Sequence, residues 1–425
     1  EAMPGTQVKR VVLTQIGDLL SDGFVNLKGR LLNFVLRKVQ KMVPPYSLPR
    51  AVWMRDALKV GSHHKLQAVK VQPDELAFLQ YTGGTTGVAK GAMLTHRNVL
   101  ANCQQALAFA EGQLTDETET VVTPLPLYHI FSLTVNCLIF MALGGRNILI
   151  ANPRDTKRVM MMLKNEKFSG ISGVNTLFAS FLDDPEFRKL DFSKLKLPIA
   201  GGMALQGAVA DRWKAVTGCI LSQGWGLTET SPVATTNPRG VDFNNSIGLP
   251  MPSTEISIRD DIGAELGVGE LGEICVRGPQ VMAGYWRRPD ETAAVMLVEG
   301  WLRTGDIGRI DAKGFVYIED RKKDMILVSG FNVYPNEVEG VIARHPAVLE
   351  VAAVAQPDER SVESVAVFVV RKQPALTETE VIEFARQELT NYKVPKHVYF
   401  RDELPKTNVG KILRRALRDS LPTSL

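Results

Sequence analysis

Cysteine is scarce: the 425 residues hold only Cys103, Cys137, Cys219 and Cys275. None is paired with another at metal-binding or redox spacing, so neither a disulfide framework nor a thiolate zinc site is available, and reduced, buried thiols of a cytoplasmic protein are expected. Long apolar runs are missing too. No stretch approaches the roughly 20 residues that cross a bilayer. The opening EAMPGTQVKR lacks the charged, apolar and small-residue sections of a secretory leader. It also begins without Met, as a truncated or partly processed chain would. A strong charge of either sign is absent: the net charge of +4 removes the global reason to expect a nucleic-acid partner. Neither an internal repeat nor a low-complexity segment interrupts the chain.

What is present is an ordinary globular composition, 45% hydrophobic and 23% charged, at a length that buries a large core in more than one domain. From Leu76 onward short apolar runs alternate with amphipathic stretches, the pattern of an α/β fold on largely parallel strands. LAFLQY (76–81) reads as a buried strand. Thr95 then offers an N-cap to a helix carrying Val99, Leu100, Cys103 and Leu107 at helical spacing. RNILIA (146–151), GISGV (170–174), LPIAGG (197–202) and ILSQGW (220–225) repeat the strand signal beside helical stretches. A twisted sheet with loops at its strand ends follows. Between about 240 and 320 short strands punctuated by Gly and Asp suggest a small β-barrel or β-rich subdomain. The last hundred or so residues read as a compact α+β domain, with strands at 351–355 and 365–370 and a capping box from Thr377 to Glu380. The expected division is a large domain over 1–320 and a small one over 321–425, joined through DRKKD (320–324).

The strongest single feature is YTGGTTGVAKG (81–91), directly after a strand. Gly83, Gly84, Gly87 and Gly91 let backbone N–H groups approach an anion. Thr82, Thr85 and Thr86 can donate to phosphate oxygens, and Lys90 supplies charge. The segment reads as a phosphate cradle, the plainer alternative being a flexible glycine loop. It is not a Walker A loop, because Lys90 lies between Ala89 and Gly91 rather than before Ser or Thr.

With its loop, the chain resembles the adenylate-forming superfamily of acyl-CoA synthetases, peptide-synthetase adenylation domains and beetle luciferases, and the other signatures follow in order. PLPLYHIF puts Tyr128 and His129 where the family has an aromatic and a histidine beside the acyl-adenylate; alone, such a His would read as a satisfied core residue. Gly201 and Gly202 match the backbone that passes the adenine. In GWGLTET (Gly224, Trp225, Gly226, Thr228, Glu229) the resemblance makes Trp225 the adenine-stacking aromatic and Glu229 a magnesium ligand, with Thr82 helping. It also implies that Tyr81, Thr82 and Lys90 bind ATP, that Asp306 accepts from the ribose hydroxyls, that Arg321 contacts ribose or phosphate, and that Lys323 is the hinge of a mobile small domain. Ser329, Gly330 and Phe331 fall in the loop that faces coenzyme A. Lys411, between Gly410 and Ile412, matches the catalytic lysine. The stretch 300–323 is closest to long-chain fatty acyl-CoA synthetases of bacterial type. The family carries a longer segment ahead of the phosphate loop than the eighty residues here, so part of the N-terminal subdomain is expected to be missing.

The implied reaction activates a fatty acid with ATP and magnesium to acyl-AMP and then transfers the acyl group to coenzyme A. Other readings are an aryl- or shorter-chain ligase, a carrier-loading adenylation enzyme, or a silent binding protein. A homodimer is expected as well. Finally, residues 23–55 hold seven Lys or Arg and no acid. Within 26–43, Leu31, Val35, Val39 and Val43 recur at four-residue spacing beside Arg30, Arg37 and Lys41. This reads either as a basic amphipathic helix lying on an anionic membrane surface, at the inner face of the membrane, or as a helix covering the core with a solvated basic face.

Overall fold

The computed structural model describes residues 5–18, 27–43, 46–48, 51–82, 89–110, 112–114, 118–358, 360–407 and 410–421. The chain forms two compact units, 1–71 and 72–425. In the first, β1 (Val11–Leu13) pairs in parallel with β2 (Ala51–Trp53), accompanied by α1 (Leu27–Phe34) and α2 (Met54–Gly61). The helix expected to reach Val43 does not. α1 passes into a π turn over Val35–Val39, closed by Gln40 N–H donating to the Val35 carbonyl at 2.9 Å. Five-residue hydrogen bonding changes the pitch, so Leu31, Val35, Val39 and Val43 do not share one face.

The second unit opens with β3 (Leu76–Thr82) and β4 (Lys90–Thr95), paired antiparallel. LAFLQY is thus a strand but not a buried one. No third strand joins it among the described residues, and Leu76 and Leu79 stay exposed. Thr95 caps α3 (His96–Phe109) in a reciprocal box with Asn98. Val99 and Cys103 are buried there as expected, whereas Leu100, a third of a turn away from Val99, is exposed.

A seven-stranded sheet carries the centre of the unit. Its parallel part runs β6 (Arg146–Leu149), β5 (Thr120–Thr123), β7 (Gly170–Gly173), β8 (Leu197–Ala200), β9 (Ser222–Gly226); β10 (Val233–Thr236) and β11 (Leu249–Pro250) extend it antiparallel. Alternation along β5 sends Val122 to one face and Val121 to the other. Val122 joins the core under α5 (Thr156–Leu163), α6 (Asn175–Asp183) and α7 (Gly207–Thr217), where Phe178 and Trp213 meet edge to face at 4.9 Å. Val121 packs with α3 and α4 (Ile139–Ala142). The expected β-rich subdomain is an antiparallel meander of β12 (Glu255–Arg259), β13 (Gly272–Arg277), β14 (Leu302–Ile310) and β15 (Val316–Arg321), with α8 (Pro289–Val295) before β14. It is open: β12 and β15 do not pair among the described residues, so the barrel alternative is set aside.

Past β15 come β16 (Ile326–Val328), β17 (Phe331–Val333), α9 (Pro335–Ile342), β18 (Val348–Asp358), β19 (Val362–Arg371), α10 (Glu378–Arg386), β20 (His397–Arg401) and α11 (Arg414–Asp419). β19 bonds to β16, β18 and β20. Its odd residues Val365, Val367 and Val369 face the core with α9 and α10, and its even residues Ala366, Phe368 and Val370 face Leu404 and Leu417. α11 therefore sits on the opposite face from α9 and α10. For the central sheet, Phe178→Ala should cost about 3–5 kcal/mol, as the loss of a fully buried aromatic does. Urea denaturation of the full chain measures it as a lower midpoint at unchanged slope.

Candidate active site

Four adjacent parallel strands deliver their C-terminal ends to one place, the arrangement in which open α/β sheets bind ligands. β5 leads to Tyr128 and His129, β7 to Val174, β8 to Gly201 and Gly202, and β9 to Gly226, Thr228 and Glu229. Close backbone approach demands the glycines. A Cβ on Gly201 would stand 3.1 Å from the Phe131 ring and 3.2 Å from the Gly224 carbonyl, and one on Gly226 would strike the Pro232 carbonyl. Gly202 takes φ +78°.

These ends open on a cavity of about 620 Å³. Of the residues singled out in the sequence, Tyr81, Thr82, Lys90, His129, Gly201, Gly202, Gly224, Trp225, Gly226, Thr228, Glu229, Arg321, Lys323 and Lys411 all line it. Apolar side chains of α3 and its C-cap, Ala106, Phe109 and Ala110, line a further part with Leu114, Val135 and Ile139. A second cavity of about 520 Å³ adjoins, and Lys90, Glu229, Tyr285, Arg321 and Lys323 border both. Asp306 lies behind the wall, buried, its Oδ2 accepting from Trp225 Nε1 at 3.0 Å and its Oδ1 3.1 Å from Arg321 Nε. Ser329, Gly330 and Phe331 line neither cavity. They form the exposed turn from β16 to β17, where Phe331 stacks on Tyr392 at 4.8 Å. Gly83, Gly84, Thr85, Thr86 and Gly87 fall outside the described residues.

The wall is cationic, with carboxylates set against its cations. Lys90 pairs with Glu291 and lies 5.2 Å from the Tyr285 ring centre. The Tyr285 hydroxyl donates to Glu229 Oε1 at 2.6 Å, fixing that carboxylate. Burial, then Arg321, Lys323 and Arg414, brings Lys411 down to about 8 against the opposing pull of Asp306. Lys323, exposed at its outer side, is lowered by partial desolvation first and by Arg321 next. His129 is held below the usual imidazole range by burial and next by Lys411, which favours the neutral ring; its Nδ1 accepts from Phe131 N–H at 3.3 Å. The arrangement suits polyanions on the cationic side and an apolar chain on the other. Glu229 and Thr82 bring hard oxygens to the same wall, the donor type that magnesium takes together with phosphates.

Neither Tyr285 nor Glu291 is marked as a site residue by the sequence. Tyr285 stands 56 residues from Glu229, in a run without spacing or charge that marks a site, and only the fold brings the two together.

Known proteins share both the sequence and the architecture. Residues 26–286 match the AMP-binding enzyme family, and residues 337–411 match the AMP-binding enzyme C-terminal domain. The chain is 56% identical over 417 residues to the long-chain-fatty-acid–CoA ligase of Escherichia coli O157:H7, covering 97% of this chain and 73% of that one. In structure it is similar to ATP-bound MatB from Rhodopseudomonas palustris, at TM-score 0.80 and 28% identity, covering 97% of this chain and 79% of the other. It is similar also to O-succinylbenzoate coenzyme A synthetase (MenE) from Bacillus subtilis in complex with ATP and magnesium, at TM-score 0.75 and 29% identity over 87% and 75% of the two chains.

Lys411 provides a test that needs no substrate. Its folded value lies below the ordinary 10.5, so protonating it opposes folding. That cost is fully present below about pH 8 and is relieved as pH rises towards 10.5. Lysine-selective NMR of the ligand-free protein should find the Lys411 signal, assigned by its loss in Lys411→Arg, titrating near 8 while exposed lysines stay cationic. Asp306→Asn should move it lower still.

Proposed function

The chain belongs to the AMP-binding enzymes, and from that premise we propose that it joins a long-chain fatty acid to coenzyme A at the expense of ATP, as a long-chain-fatty-acid–CoA ligase. The single observation that carries this reading is one cavity that provides for both the nucleotide and the acyl chain, with a cationic wall of Lys90, Arg321, Lys323 and Lys411 and an apolar lobe along α3. It uses ATP and coenzyme A as co-substrates.

In this reading the fatty acid lays its chain along Ala106, Phe109, Ala110 and Leu114 and turns its carboxylate to the cations. That carboxylate attacks the α-phosphorus of ATP; pyrophosphate leaves and acyl-AMP remains. Two anions must approach, so the required help is electrostatic, from preorganised cations in a site that excludes water. Lys411 at about 8 is mostly charged at neutral pH, and the anions it meets favour that charge. Lys90 exchanges Glu291 for phosphate oxygens, assisted by Thr82. Trp225 and the Gly201–Gly202 backbone flank the adenine, while Asp306 and Arg321 serve the ribose side. Magnesium held by Glu229 and Thr82 would neutralise part of the triphosphate charge. His129, kept neutral, borders the acyl carbonyl without adding a cation there. In the second half-reaction the coenzyme A thiol attacks the acyl carbon and AMP departs.

We assign 1–320 to a large domain and 321–425 to a small one that turns about Lys323 between the half-reactions, carrying Lys411 away and bringing Ser329, Gly330 and Phe331 towards coenzyme A. The basic stretch we read as a contact with an anionic membrane surface. Leu27, Leu31 and Phe34, at i, i+4 and i+7 on α1, are 71%, 66% and 58% exposed, an apolar stripe that a solvated helix would not present. No helix among the described residues is long and apolar enough to cross a membrane.

The activity is tested by incubating the chain with ATP, magnesium, coenzyme A and an equimolar ladder of fatty and aromatic acids, with mass-spectrometric detection of thioesters. Long-chain acyl-CoA should dominate; aryl-CoA alone would replace the substrate assignment. Lys411→Ala should slow adenylation about a hundredfold or more, the scale of one lost preorganised donor, while sparing thioester formation from supplied acyl-AMP. Equal loss in both steps would remove that role. Exchange of Arg37, Lys38 and Lys41 for Gln should abolish cosedimentation with anionic liposomes, and unchanged binding would overturn the membrane contact.

A further inference from the structure

Arg321, Lys323 and Lys411 line one cavity and repel one another, so the segments that present them must be held from behind. The holding group lies three residues beyond Lys411. Arg414, the first residue of α11, donates from Nε at 3.1 Å and from Nη2 at 2.9 Å to Glu339 Oε1, and from Nη2 at 2.8 Å to Oε2. Nη2 also donates to Asn336 Oδ1 at 2.7 Å. Nη1 lies 3.8 Å from Asp320 Oδ1 and 3.6 Å from Asp324 Oδ2.

Each partner is itself fixed. Asp320 is fully buried and its Oδ2 accepts from Asn336 N–H at 2.7 Å; Glu339 Oε1 accepts from Ala353 N–H at 2.8 Å. Arg321 and Lys323 sit between Asp320 and Asp324 in the chain. One guanidinium therefore pins two things together, the turn that presents Arg321 and Lys323 and the segment that presents Lys411. The docking of α11 has a separate cause, because Leu417 and Leu404 are buried against Phe368 and Val370 on the sheet. The fork to Glu339 and Asn336 is thus additional to that packing, and the same guanidinium reaches Asp320 and Asp324, which flank Arg321 and Lys323.

We infer that Arg414 is a positioning residue that holds Lys411 and the Asp320–Asp324 turn in the geometry that serves adenylation. The inference rests on the assignment of Lys411 to the first half-reaction. Lysine in place of Arg414 keeps the charge but cannot reproduce a planar, bidentate fork.

The test uses the full chain. Arg414→Lys should slow adenylation, read as pyrophosphate release without coenzyme A, on the order of 10- to 100-fold, as an ångström-scale misplacement does. Thioester formation from supplied acyl-AMP should change less than about twofold, since Lys411, the cation carried three residues from Arg414, serves only the first step. A role limited to holding the small domain together would lower both steps in parallel, so parallel loss, or no loss in either, overturns the inference. If Arg414→Lys fails to fold, Asp320→Asn leaves the Glu339 fork intact and must give the same split; parallel loss there overturns it equally. Lys411→Ala is measured beside them. Adenylation that survives Lys411→Ala defeats the assignment of Lys411 and the inference with it, whereas selective loss in Lys411→Ala with parallel loss in Arg414→Lys defeats positioning alone.

Discussion

Three cations, Arg321, Lys323 and Lys411, share one cavity wall, and burial brings Lys411 down to about 8. Such a wall stands only because carboxylates lie behind it: buried Asp306 against Arg321, and buried Asp320 with half-buried Asp324 and Glu339 around Arg414. Burial itself works against these acids. It raises Asp320 to about 6 despite the opposing charge of Arg414, and it raises Glu339 too. Removing either partner leaves a desolvated charge without its counter-ion, which costs more than keeping the pair. Charges set in place by such pairs do not have to reorganise when a charged transition state forms.

The sheet decides where this wall is built. Parallel strands β5, β7, β8 and β9 end on one edge, so four loops distant in the chain meet there. Their glycines bring backbone close enough to leave a groove rather than a plug: at Gly226 a side chain would collide with the Pro232 carbonyl. Opposite the charges, α3 and its C-cap contribute small and apolar residues, Ala106 and Ala110 one turn apart. Ala106 also packs on the cluster of Val121 and Phe140, and Phe140 lines the same lobe. One concave surface thus offers two solvents, and a molecule with an anionic head and an apolar tail matches both.

Local order is the legible part of the sequence. The Thr95 and Thr377 caps, the strands at 146–149, 170–173, 197–200 and 222–226, and the alternating meander all depend on short-range rules. The sequence misleads where neighbours in space outrank neighbours in the chain. LAFLQY has the apolar content of a buried strand, yet burial needs a covering layer. Four-residue spacing points to a continuous helix through Val43, and a π turn shifts that spacing after Phe34.

By itself the sequence determined which residue types could do the chemistry: a glycine and threonine loop with a lysine, a late lysine in a motif, and a carboxylate after a strand. Those identities are written in the chain because side-chain chemistry does not depend on the fold. Only the tertiary structure decided how they act together. It put Asp306 behind Trp225 and Arg321 rather than on the surface of the cavity, set Tyr285 against Glu229 across 56 residues, and gathered Arg414, Glu339 and Asp320 from three separate elements. Distances of a few ångströms between groups far apart in sequence arise from packing, and Coulomb and hydrogen-bond energies act through those distances alone.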